Sequence, residues 1–223
     1  MELKKLYQHI EDIGVMTFST IYKNEVHSRW AHFNGFDEEG LYFRTMSNKP
    51  NARQLLETEK LTVCGISNSK ASHIDGQAHF PPSFSLRLIG DVRYVPPEVI
   101  IEKAKTNDML EVAALDIEAY PAMAKGNFVM HRFKGEIFDV DFERLHRDHK
   151  VIRTRFAFGG ATFNPAGVRI TKDCIECGLC KDTCSFKAIE EGTPYQCIPQ
   201  YCDDCGSCIQ VCPVGAIQES LVF

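Results

Sequence analysis

Ten cysteines stand in this chain of 223 residues, and nine of them fall between Cys174 and Cys212. Cys174, Cys177, Cys180 and Cys184 form the run C-I-E-C-G-L-C-K-D-T-C. The same spacing recurs at Cys202, Cys205, Cys208 and Cys212, shifted by 28 residues. Ala188-Ile189 recurs at Ala216-Ile217 by that shift, so the segment is an internal repeat, and two equivalent halves imply a pseudo-two-fold arrangement. The N-terminus has interleaved acidic residues and no apolar signal region, so a cytoplasmic setting is expected, in which thiols stay reduced. Dense thiols in such a segment point to metal rather than to disulfides.

Each run reads C-x2-C-x2-C-x3-C, the spacing by which thiolates hold a [4Fe–4S] cube. Three thiolates so spaced let a tight loop wrap three irons and turn backbone N–H groups towards the sulfides. The fourth cysteine is expected to start a helix that points away, and so to serve the other cluster. Cys174, Cys177, Cys180 and Cys212 are therefore assigned to one cluster, and Cys202, Cys205, Cys208 and Cys184 to the other. Gly178 and Gly206 fall in the wrapping loops, where a side chain would crowd the cluster. Zinc, the structural rival, uses four ligands in C-x2-C pairs and has no use for a third cysteine two residues further on. Residues 170–219 resemble the bacterial two-cluster ferredoxins. One departure is that Pro213 follows Cys212 whereas Ser185 follows Cys184. Cys197 has no place in the pattern and is read as a buried strand cysteine between the halves. Cys64, outside the segment, is read as a small hydrophobe within a strand.

The elements that carry the rest of the chain are mostly strands. Leu3, Leu6, Tyr7, Ile10 and Ile13 recur at helical spacing and predict a short amphipathic helix. Strand-like runs follow at 15–22, 26–33, 41–46, 60–67, 85–95 and 127–142, the first two joined by a turn at Lys23-Asn24-Glu25. Helices are expected over Asn51–Thr58, begun by Pro50, and from about Pro97 to Lys105. Many short strands with few helices predict a small β-barrel rather than a parallel βαβ sheet. Residues 1–142 are read as the barrel, 143–171 as a loop-like connector with the core FAFGGATFNPAG, and 172–223 as the cluster domain.

Within the barrel, VHSRWAHF, the turn at Asp37–Gly40 and LYFRTMSNKPNARQL resemble the pyridoxamine 5′-phosphate oxidase-like family of FMN-binding split barrels. The fold class is thus expected to be mainly β plus α+β: a split β-barrel with a small C-terminal ferredoxin-like domain. The resemblance implies that Arg29 pairs with the FMN phosphate, a guanidinium being suited to bidentate contact. Thr45 would add a hydroxyl, and Asn48 and Lys49 further donors beside a helix N-terminus that favours an anion. Trp30, Ala31 and His32 would lie along the isoalloxazine, with Ser85 and Arg87 as further candidates on a later strand. Asn51 stands where many members of the family have lysine, a role Lys49 would take over. No GxGxxG turn and no P-loop supports a different nucleotide site.

Charge narrows the partners. Residues 172–223 carry three lysines against eight acidic residues, so the net charge of −5 belongs to this segment alone. Nucleic acid is disfavoured for want of a basic stripe. Seven basic residues between Arg144 and Arg155 are read as a solvated or domain-docking face. No apolar run of eighteen residues offers a membrane span. The expected activity is an iron–sulfur flavoprotein oxidoreductase, passing electrons between an external low-potential donor, two [4Fe–4S] clusters, FMN and a small-molecule acceptor. Its acidic lobe would meet a basic patch on a redox partner protein, and the family resemblance implies a homodimer. The alternatives are an electron-transfer or redox-storage protein without its own substrate, and a haem-handling split barrel.

Overall fold

Helical periodicity at the N-terminus becomes α1 (Leu3–Ile13), whose face buries Leu6, Tyr7 and Ile10. Burial of Leu6 and Ile10 contributes about 2 kcal/mol each. Gly14 ends the helix at φ +74°, its N–H donating to Ile10 O at 2.9 Å. The computed structural model describes residues 1–67, 72–74, 76–79, 83–121, 125–140, 152–162 and 167–219. Contacts divide the chain into two compact units, the first formed by 1–69, 84–137 and 155–161, the second by the remainder.

The first unit is built on one antiparallel sheet. β1 (Met16–Tyr22) and β2 (Glu25–Ala31) form a hairpin, followed by β3 (Gly35–Asp37) and β4 (Gly40–Arg44). The hairpin loop is Lys23-Asn24 alone, both at positive φ, because Glu25 already pairs with Tyr22. α2 (Pro50–Thr58) leads into β5 (Lys60–Ile66). β6 (Ser72–Ile74) and β7 (Gln77–His79) pair as a separate hairpin in the second unit. β8 (Ser83–Tyr94), α3 (Pro97–Ala104), a 3-10 turn at Asp108–Leu110, α4 (Glu111–Ala119), β9 (Asn127–Val140) and β10 (Arg153–Phe158) complete the set. The sheet order is β2-β1-β5-β8-β9-β4-β3, with β10 also paired to β9.

That sheet curls round a single core. β1 and β4 are four steps apart along the order, about 19 Å in a flat sheet. Yet the rings of Phe18 on β1 and Phe43 on β4 lie 5.2 Å apart, edge to face. Strands from both halves of the sheet therefore meet across an interior filled by Val63, Leu86, Leu88, Phe128, Met130 and Phe133. The path ends at β2 and β3, consecutive in the chain but unpaired with each other in the sheet order, so the closure is split there. The observed fold class is the expected one, a mainly β, antiparallel split barrel with helices and a C-terminal ferredoxin-like segment.

Several details differ from the sequence reading. Cys64 does not pack inside; β5 alternates, so Val63 is buried and Cys64 is exposed. Residues 153–158 are not loop but β10, because RTRFAF alternates and places Phe156 in the core. α4 was invisible to periodicity, since its buried positions Ala113, Ala114 and Ile117 are interrupted by exposed Val112 and Leu115. Of the basic residues between 144 and 155, Arg153 and Arg155 form no solvated face; they pair with Asp203 and Glu136 respectively. The other five, and the connector residues 163–166, lie outside the described residues.

The polar junction behind the barrel rests on Lys103 of α3. Its Nζ donates to Asp37 Oδ2 at 2.6 Å and to Tyr42 Oη at 3.0 Å, and pairs with Glu39 at 2.9 Å. Burial opposes the lysine charge, but these carboxylates and the tyrosine raise its pKa above the ordinary value. Lys103→Met leaves the Asp37 carboxylate, almost wholly buried, without its cation and is expected to cost about 3 kcal/mol, read as a lower urea midpoint. Because folding raises this pKa, the stabilisation is complete below about pH 10 and is lost as pH climbs through the folded value.

Candidate functional site

Two sites emerge, one in each unit. In the second unit, β11 (Arg169–Ile170) pairs with β14 (Ile217–Gln218), and β12 (Ile189–Glu190) pairs with β13 (Gln196–Cys197). The short helices α5 (Leu179–Thr183) and α6 (Ser207–Gln210) pack beside them. The 28-residue shift seen in the sequence maps α5 onto α6 and β12 onto β14. Backbone detail repeats with it. Glu176 and Asp204 take φ +59° and +55°, and Gly178 and Gly206 take φ +81° and +75°.

These glycines are required by backbone conformation. A Cβ on Gly206 would meet no protein atom within 4 Å, and one on Gly178 only Tyr195 Oη at 3.9 Å. Left-handed φ, which L side chains rarely adopt, is what selects glycine here. The helix also lies elsewhere than expected. Cys184 does not start a helix; it caps the C-terminus of α5 in an extended conformation, and Cys212 follows α6 in a turn. The helices are instead opened by the two glycines and carry the third cysteine of each run, Cys180 and Cys208.

The cysteines sort into two apolar cavities. One is lined by Cys174, Cys177, Cys180 and Cys212, the other by Cys184, Cys202, Cys205, Cys208 and, additionally, Cys197. Each cavity thus takes three sulfurs from one half of the repeat and the fourth from the other half. Backbone N–H groups point at the sulfurs in matching pairs. Glu176 N–H donates to Cys174 Sγ and Asp204 N–H to Cys202 Sγ, both at 3.4 Å. Ala188 N–H donates to Cys184 Sγ and Ala216 N–H to Cys212 Sγ, both at 3.3 Å. Such donors stabilise thiolate charge. Burial pushes the Cys180 thiol up and the Cys208 thiol up to about 11. The neighbouring Cys197 thiol holds Cys202 down, at about 6, and Cys197 is itself raised by Cys202 and by burial. Among the described residues, no three or more His, Cys, Asp or Glu side chains are arranged to hold a single metal ion. The sulfurs instead surround a void, as a bulky cluster needs.

Cys197 stands on strand β13, as expected, but is half-buried rather than buried. Both quartets fit an iron–sulfur cube in donor type, number and N–H support.

In the first unit, an open cleft of about 720 Å³ lies among β2, the end of β4, the loop to α2 and Tyr120 after α4. Six of the residues named from the sequence line it: Arg29, Trp30, Ala31, His32, Thr45 and Lys49. Asn48 is not among its lining residues. Ser85 and Arg87 stand on β8, away from the cleft, where Arg87 donates to Glu136 at 3.0 Å.

Arg29 is held by α2, one of its N–H groups donating to Asn51 Oδ1 and another to Gln54 Oε1 at 2.7 Å. Burial lowers its pKa, but a guanidinium has far to fall and remains cationic. Two donor groups are committed to α2, leaving others of its five N–H bonds for a ligand. The α2 N-terminus has no side-chain cap: Lys49 occupies the cap position and Pro50 follows. Its first-turn N–H groups and positive dipole end therefore stand beside Lys49 and Arg29. Arg44 adds a further cation, its Nη2 bonded to Asp116 Oδ2 at 2.8 Å and its Nη1 buried with no partner among the described residues. Trp30, 79% exposed on edge strand β2, presents a free indole face. Volume, cationic end and aromatic wall all fit a phosphate-bearing planar ligand.

Gln54 is a site residue that motif reading missed, and Asn51, marked only as a departure from the family's lysine, joins it. They lie three apart on α2 and so share a face that adjoins the core face of Ala52 and Leu55, Gln54 itself being buried. Tyr120 joins from far along the chain and carries no local signal.

Residues 198–218 match the family described as 4Fe-4S binding domain, so the chain carries an iron–sulfur binding motif. No curated protein matches the chain. Among solved structures, a NimC/NimA family protein from Clostridium acetobutylicum is 14% identical, with a TM-score of 0.48, covering 70% of this chain and 93% of that one. A heme binding protein from Mycobacterium smegmatis is 12% identical, with a TM-score of 0.45, over 74% of this chain and 63% of that one. A FAD-binding protein from Mesorhizobium loti is 11% identical, with a TM-score of 0.39, over 60% and 94% respectively. Likeness at this level carries no functional argument.

Gly206→Ala forces a Cβ into the left-handed region and is expected to cost about 1 kcal/mol. Urea unfolding of the full chain should show a lower midpoint with an unchanged slope.

Proposed function

We propose that the chain is an iron–sulfur flavoprotein oxidoreductase, with two [4Fe–4S] clusters in the second unit and FMN in the cleft of the first. The sorting of eight repeat cysteines into two cavities, each completed by a sulfur from the opposite half, carries this reading. Cys174, Cys177, Cys180 and Cys212 hold one cluster; Cys202, Cys205, Cys208 and Cys184 hold the other. Arg29, oriented by Asn51 and Gln54, grips the FMN phosphate together with Lys49, Thr45 and the α2 N-terminus. Trp30, Ala31 and His32 line the flavin ring.

Bound flavin takes up single electrons and delivers pairs, which suits it to stand between one-electron clusters and a small-molecule acceptor. The protein groups position and stabilise charge, and none need form a covalent bond to substrate. An external low-potential protein donates the electrons, its basic surface drawn to the acidic residues of 172–223. The working state is a homodimer.

Anaerobically purified protein should contain about eight iron atoms per chain and one FMN, all reducible in a dithionite titration. Clusters that reduce without any bound, reducible flavin would sink the FMN assignment. A Soret band after haem addition that disappears in His27→Ala or His32→Ala would replace flavin with haem, since both histidines line the cleft. Arg29→Ala should weaken FMN binding about 10- to 100-fold, the loss of charge-assisted hydrogen bonds. Arg29→Lys should recover only part, because lysine lacks the guanidinium fork. Cys184→Ser should alter the same electron paramagnetic resonance signal as Cys205→Ser and leave that of the Cys177 cluster in place; the reverse pairing would refute the crossed ligation.

A further inference from the structure

The first cysteine cavity opens among exposed apolar side chains. Ile175 and Val214, 59% and 45% exposed, line it together with the exposed Cys177. Leu179, 46% exposed, follows the cavity's Gly178 at the start of α5. Single exposed apolar residues are ordinary, whereas a group of them rimmed by polar residues marks a contact surface.

The repeat supplies an internal control. Shifted by 28 residues, Ile175, Leu179 and Val214 become Asp203, Ser207 and Phe186. All three of these line the second cavity, but Asp203 and Ser207 are polar and Phe186 is half-buried. Asp203 is also bonded to Arg153. Each half exposes one cysteine, Cys177 or Cys205, so sulfur exposure does not separate the two cavities. The apolar collar does. Acidity is common to both halves: residues 172–191 carry five acidic residues against three lysines, and no lysine, arginine or histidine follows Lys187. Beside the collar, Glu176 and Asp182 are exposed, while Lys181 donates to Glu191 at 2.5 Å.

We propose that the collar of Ile175, Leu179 and Val214 is the docking surface for a basic one-electron redox protein. That partner exchanges electrons with the cluster held by Cys174, Cys177, Cys180 and Cys212, and not directly with the other. This rests on the cluster reading given above. The acidity of the whole segment draws the basic surface in, and apolar contact at the collar fixes where it settles. Transient electron-transfer encounters bury less than about 1,200 Å² in total, a size that suits three apolar side chains with a charged rim. One electron crosses in each encounter: the metal centre on one side is oxidised, the other is reduced, and no proton moves.

The test uses oxidised cytochrome c, a basic protein with an exposed haem edge, as the probe. Holoprotein is reduced with dithionite, freed of excess reagent anaerobically and mixed with the probe by stopped flow, each electron reducing one ferric haem. Leu179→Lys and Ser207→Lys place the same charge at positions equivalent in the repeat. Leu179→Lys should slow the second-order rate about tenfold and Leu179→Ser about threefold, whereas Ser207→Lys should change it less than twofold. Benzoquinone, small and uncharged, should oxidise all four proteins at one rate. Iron is counted in each; should Leu179→Lys lose iron, Val214→Lys takes its place with the same tenfold expected. Equal slowing by both lysines, no slowing by the collar variants, or intact reduced wild type that fails to react with cytochrome c overturns the proposal. So does a lower oligomer mass in Leu179→Ser at an unchanged rate, which would give the collar to a second copy of the chain. Wild-type protein without two clusters overturns the cluster reading itself, a result distinct from intact clusters with unmoved rates.

Discussion

The contact between Phe18 and Phe43 can exist only in a sheet that has curled back on itself. The first unit depends on that closure. It lets one set of aromatic and aliphatic side chains, Phe18, Phe33, Phe43 and Phe128 among them, serve strands that are distant in the sheet order. Closure is driven by burial, since each strand alternates and only a curled sheet gathers all the inward faces into one dry interior. The split between β2 and β3 leaves β2 as an edge, with side chains open on both faces. Trp30 and Arg29 are available to a ligand for that reason, and α2 beside them supplies the anchoring amides.

Arg29 shows how the scaffold prepares a cation. A free arginine side chain would lose rotamer freedom when it gripped an anion. Here Asn51 and Gln54 have already fixed the fork, so that part of the ordering occurs on folding rather than on binding. Lys49 and the uncapped helix end then add charge at little conformational cost.

The second unit obeys a different constraint. It has few apolar side chains of its own, and its cluster of buried residues includes the cysteines themselves. In a segment of this size, ligation of iron–sulfur clusters would do the work that a larger hydrophobic core does elsewhere. The left-handed residues Glu176 and Asp204 aim their N–H groups at sulfur, and the left-handed glycines Gly178 and Gly206 follow two places on and open the helices. Repetition makes the two cavities alike, and Cys197 makes them unequal.

The cysteine spacing alone determined much of the second unit: eight cysteines in two quartets, with Cys184 and Cys212 crossing to line the opposite cavity. Such information is local, because C-x2-C-x2-C-x3-C dictates loop geometry within a dozen residues. Alternation likewise marked most strands, and the α1 and α2 helices were legible from their periods and from Pro50. What remained hidden depends on distant partners. RTRFAF became strand β10 because β9 offers it a free edge, and Cys64 faces outward because its neighbours Val63 and Leu61 are claimed by the core. Arg87, a further cofactor candidate on a later strand, is bonded to Glu136, forty-nine residues away, a pairing no local pattern states. The clasp of Arg29 by Asn51 and Gln54, and the meeting of Cys197 with Cys202, needed the tertiary fold, since no spacing rule states which side chains will face one another across a cavity.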